Sequence, residues 1–181
     1  LAIIITIMVL EFQVPKSVEL SALFPLIPKF LSYVLSFIII GIYWTNHHHL
    51  WQAVDEVKGS VLWTNLHLLF WLSLIPFVTS WIGENKLSTI PVALYGTVLW
   101  FSALAYFIMV RTLMSYHSQD SLLAKAVGRD TKGKRSLIIY TAAIPLAFIS
   151  PLLAILVYVG VALMWFVPDR RIEKVVEKNN Q

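Results

Sequence analysis

Long apolar runs separated by short charged segments constrain the fold of this sequence more than any other feature. Residues 28–54, 61–82 and 89–116 are each apolar over a length that can cross a bilayer, which takes about 20 residues per helix. Charged residues make up only 13% of the chain, against about 25% in soluble domains. The sequence therefore predicts an all-α integral membrane protein and excludes a soluble globular domain.

The remaining apolar sequence supplies three further spans. Residues 136–167 carry no charged side chain, and this run is too long for one span. Because Pro151 ends a helix, we interpret it as two spans, 136–149 and 151–167, joined by a tight turn. Residues 1–14 are also apolar but only half a helix long, so we expect the chain to begin partway through its first span. The prediction is one membrane domain, residues 1–181, with six spans.

The basic residues predict the orientation of these spans. Six spans place eleven Lys and Arg side chains on one side of the membrane, in the segments around Lys58, over 111–135 and after residue 168. The other side carries only three, Lys16, Lys29 and Lys86. Basic residues accumulate on the cytoplasmic side, so we predict a multi-pass protein of the cell membrane with both termini in the cytoplasm. Membrane orientation thus explains the basic residues behind the net charge of +4. We therefore expect no nucleic-acid partner.

The sequence offers little for enzymatic or metal chemistry. It contains no cysteine, which excludes disulfides, thiolate metal sites and a cysteine nucleophile. No span holds paired carboxylates, and His67 and Ser73 do not share a helical face. The run from His47 to His49 points in three directions on a helix, so its side chains cannot converge on one ion. We therefore predict no enzyme activity, no metal site and no cofactor.

A few polar side chains fall inside the predicted spans near the cytoplasmic face. Trp44 and His47 lie in the second span, and Asn65 and His67 lie at a similar depth in the third. Polar groups inside a membrane are costly and usually pair within the bundle. This layer predicts either contacts that hold helices together or a pathway for protons or ions.

The first span carries a stripe of residues at helical spacing, namely Ile3, Thr6, Ile7 and Leu10. The stripe is explained equally by helix packing, by contact with lipid, or by the lining of a pore whose aliphatic side chains form a dewetting constriction. Glu11 follows one residue later. It is either an exposed helix end or an acidic ring at the outer mouth of a cation pathway.

Five segments in a fixed order resemble the bacterial branch of the transmembrane protein 175 family of potassium channels. They are AIIITIMVLEFQVP at residues 2–15, YWTNHH at 43–48 with Leu50, LFWLSLIPFVTS at 69–80, IPLAFISP at 144–151 and PDRR at 168–171. The resemblance implies a six-helix subunit that assembles as a homotetramer around its first helix. It also implies potassium conduction without the filter loop of other potassium channels.

The resemblance also implies roles for individual residues. The hydrophobic constriction falls on Ile3, with Ile7 and Leu10 further out, and the threonine linked to selectivity falls on Thr6. The family has an Arg-x-x-x-Phe-Ser-Asp motif at the start of this helix, which we expect upstream of Leu1. In the family that motif is hydrogen-bonded to a Trp and a His that match Trp44 and His47.

We therefore expect a potassium channel that is only weakly selective over sodium, with K⁺ as the permeant ion and membrane lipids as its surroundings. The alternatives are a secondary transporter and a proton-conducting membrane protein. A transporter needs discontinuous helices, often in paired repeats. Pro76 and Pro145 are able to break helices, but the sequence shows no such repeat.

Overall fold

A computed structural model describes residues 1–12, 14–15, 17–54, 57–117, 121, 123–124 and 131–166. Every regular element in these residues is helical, which confirms the predicted all-α class. The helices are α1 (Ala2–Leu10), a 3₁₀ segment (Leu20–Leu26), α2 (Ile27–Gln52), α3 (Gly59–Ser73), α4 (Ile75–Glu84), α5 (Thr89–Ser115), α6 (Thr131–Ile149) and α7 (Pro151–Phe166).

Three helical stretches are long and apolar enough to cross a membrane unaided: Leu20–Gln52, Gly59–Glu84 and Thr89–Ser115. Helix α7 is apolar but shorter. Helix α1 has nine residues, or about 14 Å at 1.5 Å per residue, which is roughly half of a bilayer core. The six predicted crossings therefore stay a prediction.

Helix α5 lies at the centre of the bundle and packs against α3, α4, α6 and α7. Tyr95, Leu99, Met109 and Leu113 on this helix are fully buried. Helix α7 approaches α5 closely at Gly96, where an added Cβ would collide with the Tyr158 hydroxyl of α7. Only a residue without a side chain fits under that ring.

The predicted span 61–82 is two helices, since α3 ends at Ser73 and α4 begins at Ile75. Pro76 stands in the first turn of α4. Proline has no N–H to give to the preceding turn and is tolerated best at the start of a helix. The break thus follows from Pro76.

A buried chain of hydroxyl groups ties three helices together. Ser36 of α2 lies 2.7 Å from the Thr79 hydroxyl of α4 and 2.8 Å from the Tyr95 hydroxyl of α5. Thr79 donates its own proton to the carbonyl of Ile75 at 2.6 Å. The consistent order of donation therefore runs from Tyr95 to Ser36, then to Thr79 and to Ile75. Each hydroxyl has a partner, which avoids the cost of an unsatisfied buried polar group.

Helix α6 begins at Thr131, five residues before the predicted start at Ser136. The basic side chains in its first turns do not prevent helix formation, because their long stems can follow the helix while the charges reach water. Ser136 accepts a hydrogen bond from the Trp165 indole of α7 at 2.8 Å. The predicted tail after residue 166 and most of the linker before α6 lie outside the described residues.

Candidate functional site

The four residues of the predicted stripe all lie on the outward face of α1. Ile3 and Leu10 are each 76% exposed and Ile7 is 44% exposed, and Thr6 between them is also exposed. These four side chains therefore form one continuous surface on the side of α1 that faces away from the rest of the bundle.

The opposite face of α1 packs on the other helices of the chain. Met8 is buried, and Leu1, Ile4 and Ile5 pack against the apolar core. The neighbours of α1 are mainly α4 and α2. Because one face is fixed in this way, the direction of the exposed stripe is fixed relative to the bundle.

Thr6 is the polar residue of the four in the stripe. Its hydroxyl donates to the carbonyl of Ala2 at 3.1 Å. A hydroxyl has one proton and two lone pairs, so this bond leaves the lone pairs of the Thr6 oxygen available on the exposed face. An oxygen presented in this way can accept a hydrogen bond or contact a cation.

Glu11 caps the C-terminal end of α1 and is exposed. Its carboxylate accepts a hydrogen bond from the Ser80 hydroxyl of α4 at 3.2 Å. This contact holds the Glu11 carboxylate against α4, where α1 ends.

The predicted polar layer contains one contact between helices. Nε2 of His47 lies 2.7 Å from Oδ1 of Asn65 and also 2.7 Å from the indole nitrogen of Trp51. Nε2 either carries a proton and donates it in a hydrogen bond to Asn65, or carries no proton and accepts a hydrogen bond from Trp51. The tautomer of His47 thus selects between two partners, and only the bond to Asn65 joins α2 to α3.

The other two residues of that layer lie apart from this contact. Trp44 is 54% exposed and stacks on His48, with ring centroids 5.5 Å apart. His67 is exposed and accepts a hydrogen bond from Trp71 on its own helix at 3.0 Å. Within the described part of the chain, no group of three or more His, Asp or Glu side chains is placed to hold a metal ion.

Two groups of polar residues that the fold assembles are not predicted from the sequence. One is the hydroxyl chain of Ser36, Thr79 and Tyr95. The other is an ion pair between Lys29 and Glu84, whose charged atoms lie 3.0 Å apart. The available signal was a charge at the edge of each of two apolar runs, but nothing in the sequence pairs residues so distant.

Comparison with known proteins identifies close relatives. A sequence model of the family described as endosomal/lysosomal potassium channel TMEM175 matches residues 1–76. A potassium channel from Chryseobacterium sp. strain P1-3 is 49% identical over 179 residues, which cover 99% of this chain and 93% of that protein. A potassium channel from Streptomyces collinus is 32% identical over 113 residues, covering 58% of this chain and 55% of that protein.

A solved structure is similar in fold. It is the crystal structure of a lysosomal potassium-selective channel TMEM175 homolog from Chamaesiphon minutus, with a TM-score of 0.75 and 25% sequence identity. The match covers 92% of this chain and 90% of that one. All three relatives are named as channels, a non-enzymatic class of protein. Since the likeness to the Chryseobacterium protein extends over nearly all of both chains, this chain belongs to the TMEM175 family, among its bacterial members.

Proposed function

We propose that this chain is the subunit of a potassium channel of the cell membrane, and that α1 lines its conducting path. The observation that carries the proposal is the outward stripe of α1, which is exposed while the opposite face of the same helix is packed. The names of the relatives and of the solved homolog support the choice of K⁺ as the permeant ion.

The path requires more than one subunit, because a single helix cannot enclose a pore. We propose a homotetramer in which four copies of α1 surround one axis and turn their stripes toward it. The orientation of α1 supports this arrangement, since its packed face leaves the stripe free to meet the same stripe of other subunits. Lipid then covers the apolar faces of the outer helices.

Each residue of the stripe has a proposed task. Ile3 forms a hydrophobic gate, since a narrow apolar ring expels water and so stops ions. Ile7 and Leu10 extend the narrow path further out. Thr6 offers oxygen lone pairs to a partly dehydrated ion, and K⁺ gives up its water more readily than Na⁺. Because a single ring of four hydroxyls replaces only part of a hydration shell, the selectivity over sodium is weak.

The remaining predicted residues lie at the two ends of the path. Glu11 forms an acidic outer mouth, because charged rings concentrate ions of opposite sign. The polar residues Trp44, His47, Asn65 and His67 lie near the cytoplasmic side, where both termini also lie. Of these, the contact between His47 and Asn65 fastens α2 to α3.

A secondary transporter is the second candidate, because the break between α3 and α4 makes a discontinuous helix. The hydroxyls next to this break bond to one another rather than facing an open site. This packing leads us to favour the channel over the transporter. Proton conduction through His47 is the third candidate.

The test is a reversal potential. The full-length protein is reconstituted in planar bilayers with KCl on one side and NaCl on the other, and protein-free bilayers serve as the control. A current that reverses toward the potassium equilibrium potential supports the channel. Flux that saturates and depends on a second ion identifies a transporter, and a current that follows the pH gradient identifies proton conduction.

A further inference from the structure

Four polar side chains form a chain of contacts where α1 ends, between α4 and the start of α2. Ser80 Oγ is 3.2 Å from Glu11 Oε2 and 3.5 Å from Glu84 Oε1. The ammonium of Lys29 donates to the same Glu84 oxygen at 3.0 Å. We call Glu11, Lys29, Ser80 and Glu84 the mouth cluster.

Lys29 is the least exposed charge of the mouth cluster. Its side chain is 11% exposed, whereas that of Glu84 is 57% exposed. An added Cβ on Gly83 would lie 2.6 Å from the Cα of Lys29, so the backbone of α4 passes directly beside the Lys29 stem. A charged group that is nearly buried destabilises the protein unless it is paired with an opposite charge. Lys29 therefore requires a carboxylate within reach.

A second carboxylate, that of Glu11, lies at the same corner, because Ser80 contacts both Glu11 and Glu84. Glu11, Lys29 and Ser80 also line one small cavity between α1, α2 and α4. Ser80 has one proton, and the shorter contact assigns it to Glu11. Glu84 is consequently held by Lys29, and Glu11 is held by an uncharged group.

This division of partners leaves the charge of Glu11 intact. A carboxylate at the C-terminal end of a helix faces the negative end of the helix dipole, so Glu11 would gain from any nearby ammonium. We propose that Glu84 is a positioning residue that keeps Lys29 paired, so that the Glu11 carboxylate stays unneutralised and attracts permeant cations. The inference rests on the proposed channel function.

The proposal has an electrostatic signature. The mouth cluster carries two negative charges and one positive charge, so removing the charge of Glu84 makes it neutral and frees Lys29 to pair with Glu11. Among the described residues, the other charges at this end are Glu19 and Lys86, both exposed. Lys86 lines the neighbouring hollow with Lys29 and Glu84. Interactions between exposed charges are screened by salt, whereas damage to the fold is not.

The experiment is single-channel conductance of the full-length protein at low and high potassium. We expect Glu84→Gln to lower conductance roughly twofold at about 20 mM K⁺ and to match the wild type at about 1 M K⁺. The double variant Lys29→Gln/Glu84→Gln restores the wild-type value at low salt, because no ammonium is left to neutralise Glu11. Glu19→Gln is the matched control, since it removes the same charge away from Lys29, and it leaves conductance close to wild type.

Three results overturn the proposal. The first is a Glu84→Gln channel that conducts like Glu19→Gln at low salt, and the second is a double variant as low as Glu84→Gln. The third is a loss of equal size at both salt concentrations, which indicates structural damage. If Glu84→Gln does not assemble, the Lys29→Gln variant tests the proposal instead. It leaves both Glu11 and Glu84 without an ammonium partner, so its conductance at low salt must exceed that of the wild type, and an unchanged conductance overturns the proposal. A wild-type protein without potassium current instead refutes the proposed function.

Discussion

Helices α1 and α5 are both strongly apolar, but the fold places them differently. Twelve of the 27 residues of α5 are buried, compared with Met8 alone among the nine of α1. In a membrane protein apolarity does not separate core from surface, because lipid is as apolar as a packed interior. The difference lies in residue size. Gly96 and Ala105 let neighbouring helices approach α5, while the bulky aliphatic residues of α1 cover an outward surface.

The largest test of this contrast removes one aliphatic side chain from each helix. Leu99 of α5 is fully buried and Ile3 of α1 is 76% exposed. We expect Leu99→Ala to lower the free energy of unfolding by about 2–5 kcal/mol because it leaves a cavity. Ile3→Ala should change it little. Thermal unfolding in detergent measures both, and equal losses would mean that Ile3 packs into the core of its own chain as Leu99 does.

A second test adds a methyl group to a glycine. Gly96→Ala forces the Tyr158 ring to move and should destabilise the protein by about 1–3 kcal/mol. Gly41→Ala on α2 is the matched control, because nothing lies within 4 Å of its added Cβ. The control should stabilise the helix by up to about 1 kcal/mol, the usual preference for Ala over Gly. Thermal unfolding in detergent measures both variants. Similar unfolding midpoint temperatures would contradict the close approach of α5 and α7.

A third test places a polar group on the stripe. Ile3→Asn should raise single-channel conductance several-fold, because the amide wets the hydrophobic gate. Ile138→Asn on α6 is the control, since Ile138 is 71% exposed on another helix. We expect no change in its conductance. An unchanged current in Ile3→Asn would remove Ile3 from the gate.

The smallest expected effect concerns two threonines with the same local hydrogen bond. Thr6 donates to the carbonyl of Ala2 at 3.1 Å, and Thr97 of α5 donates to that of Ala93 at 2.9 Å. Thr6→Ala should reduce the permeability ratio of K⁺ to Na⁺ modestly, and Thr97→Ala should leave it unchanged. Reversal potentials under mixed-ion conditions measure both ratios. If both variants keep the wild-type ratio, Thr6 has no part in selectivity.

The sequence predicted the helical class and the shared face of Ile3, Thr6, Ile7 and Leu10, because both depend on local periodicity. It did not predict the break at Leu74, since a proline inside an apolar run is compatible with either a kinked or an interrupted helix.

Depth and rotation of the helices also differ in how well the sequence predicts them. The direction of each span predicts a similar depth for His47 and Asn65, and they are in contact. It predicts a similar depth for Trp44 and His67 as well, but these two lie apart from this contact. Helix rotation decides which side chains meet, and packing against neighbours sets it. The pairing of Lys29 with Glu84 likewise depends on how α2 and α4 pack.

The attachment of α1 through one narrow face has a consequence for how such proteins diverge. Its anchoring residues, such as Met8 and Ile5, are separate from the outward residues Ile3 and Leu10. Natural selection can therefore alter the outward residues with little risk to folding, while the anchoring residues stay under constraint. Among related proteins, variation in ion preference and current size is then expected to accumulate on a surface that contributes little to thermodynamic stability.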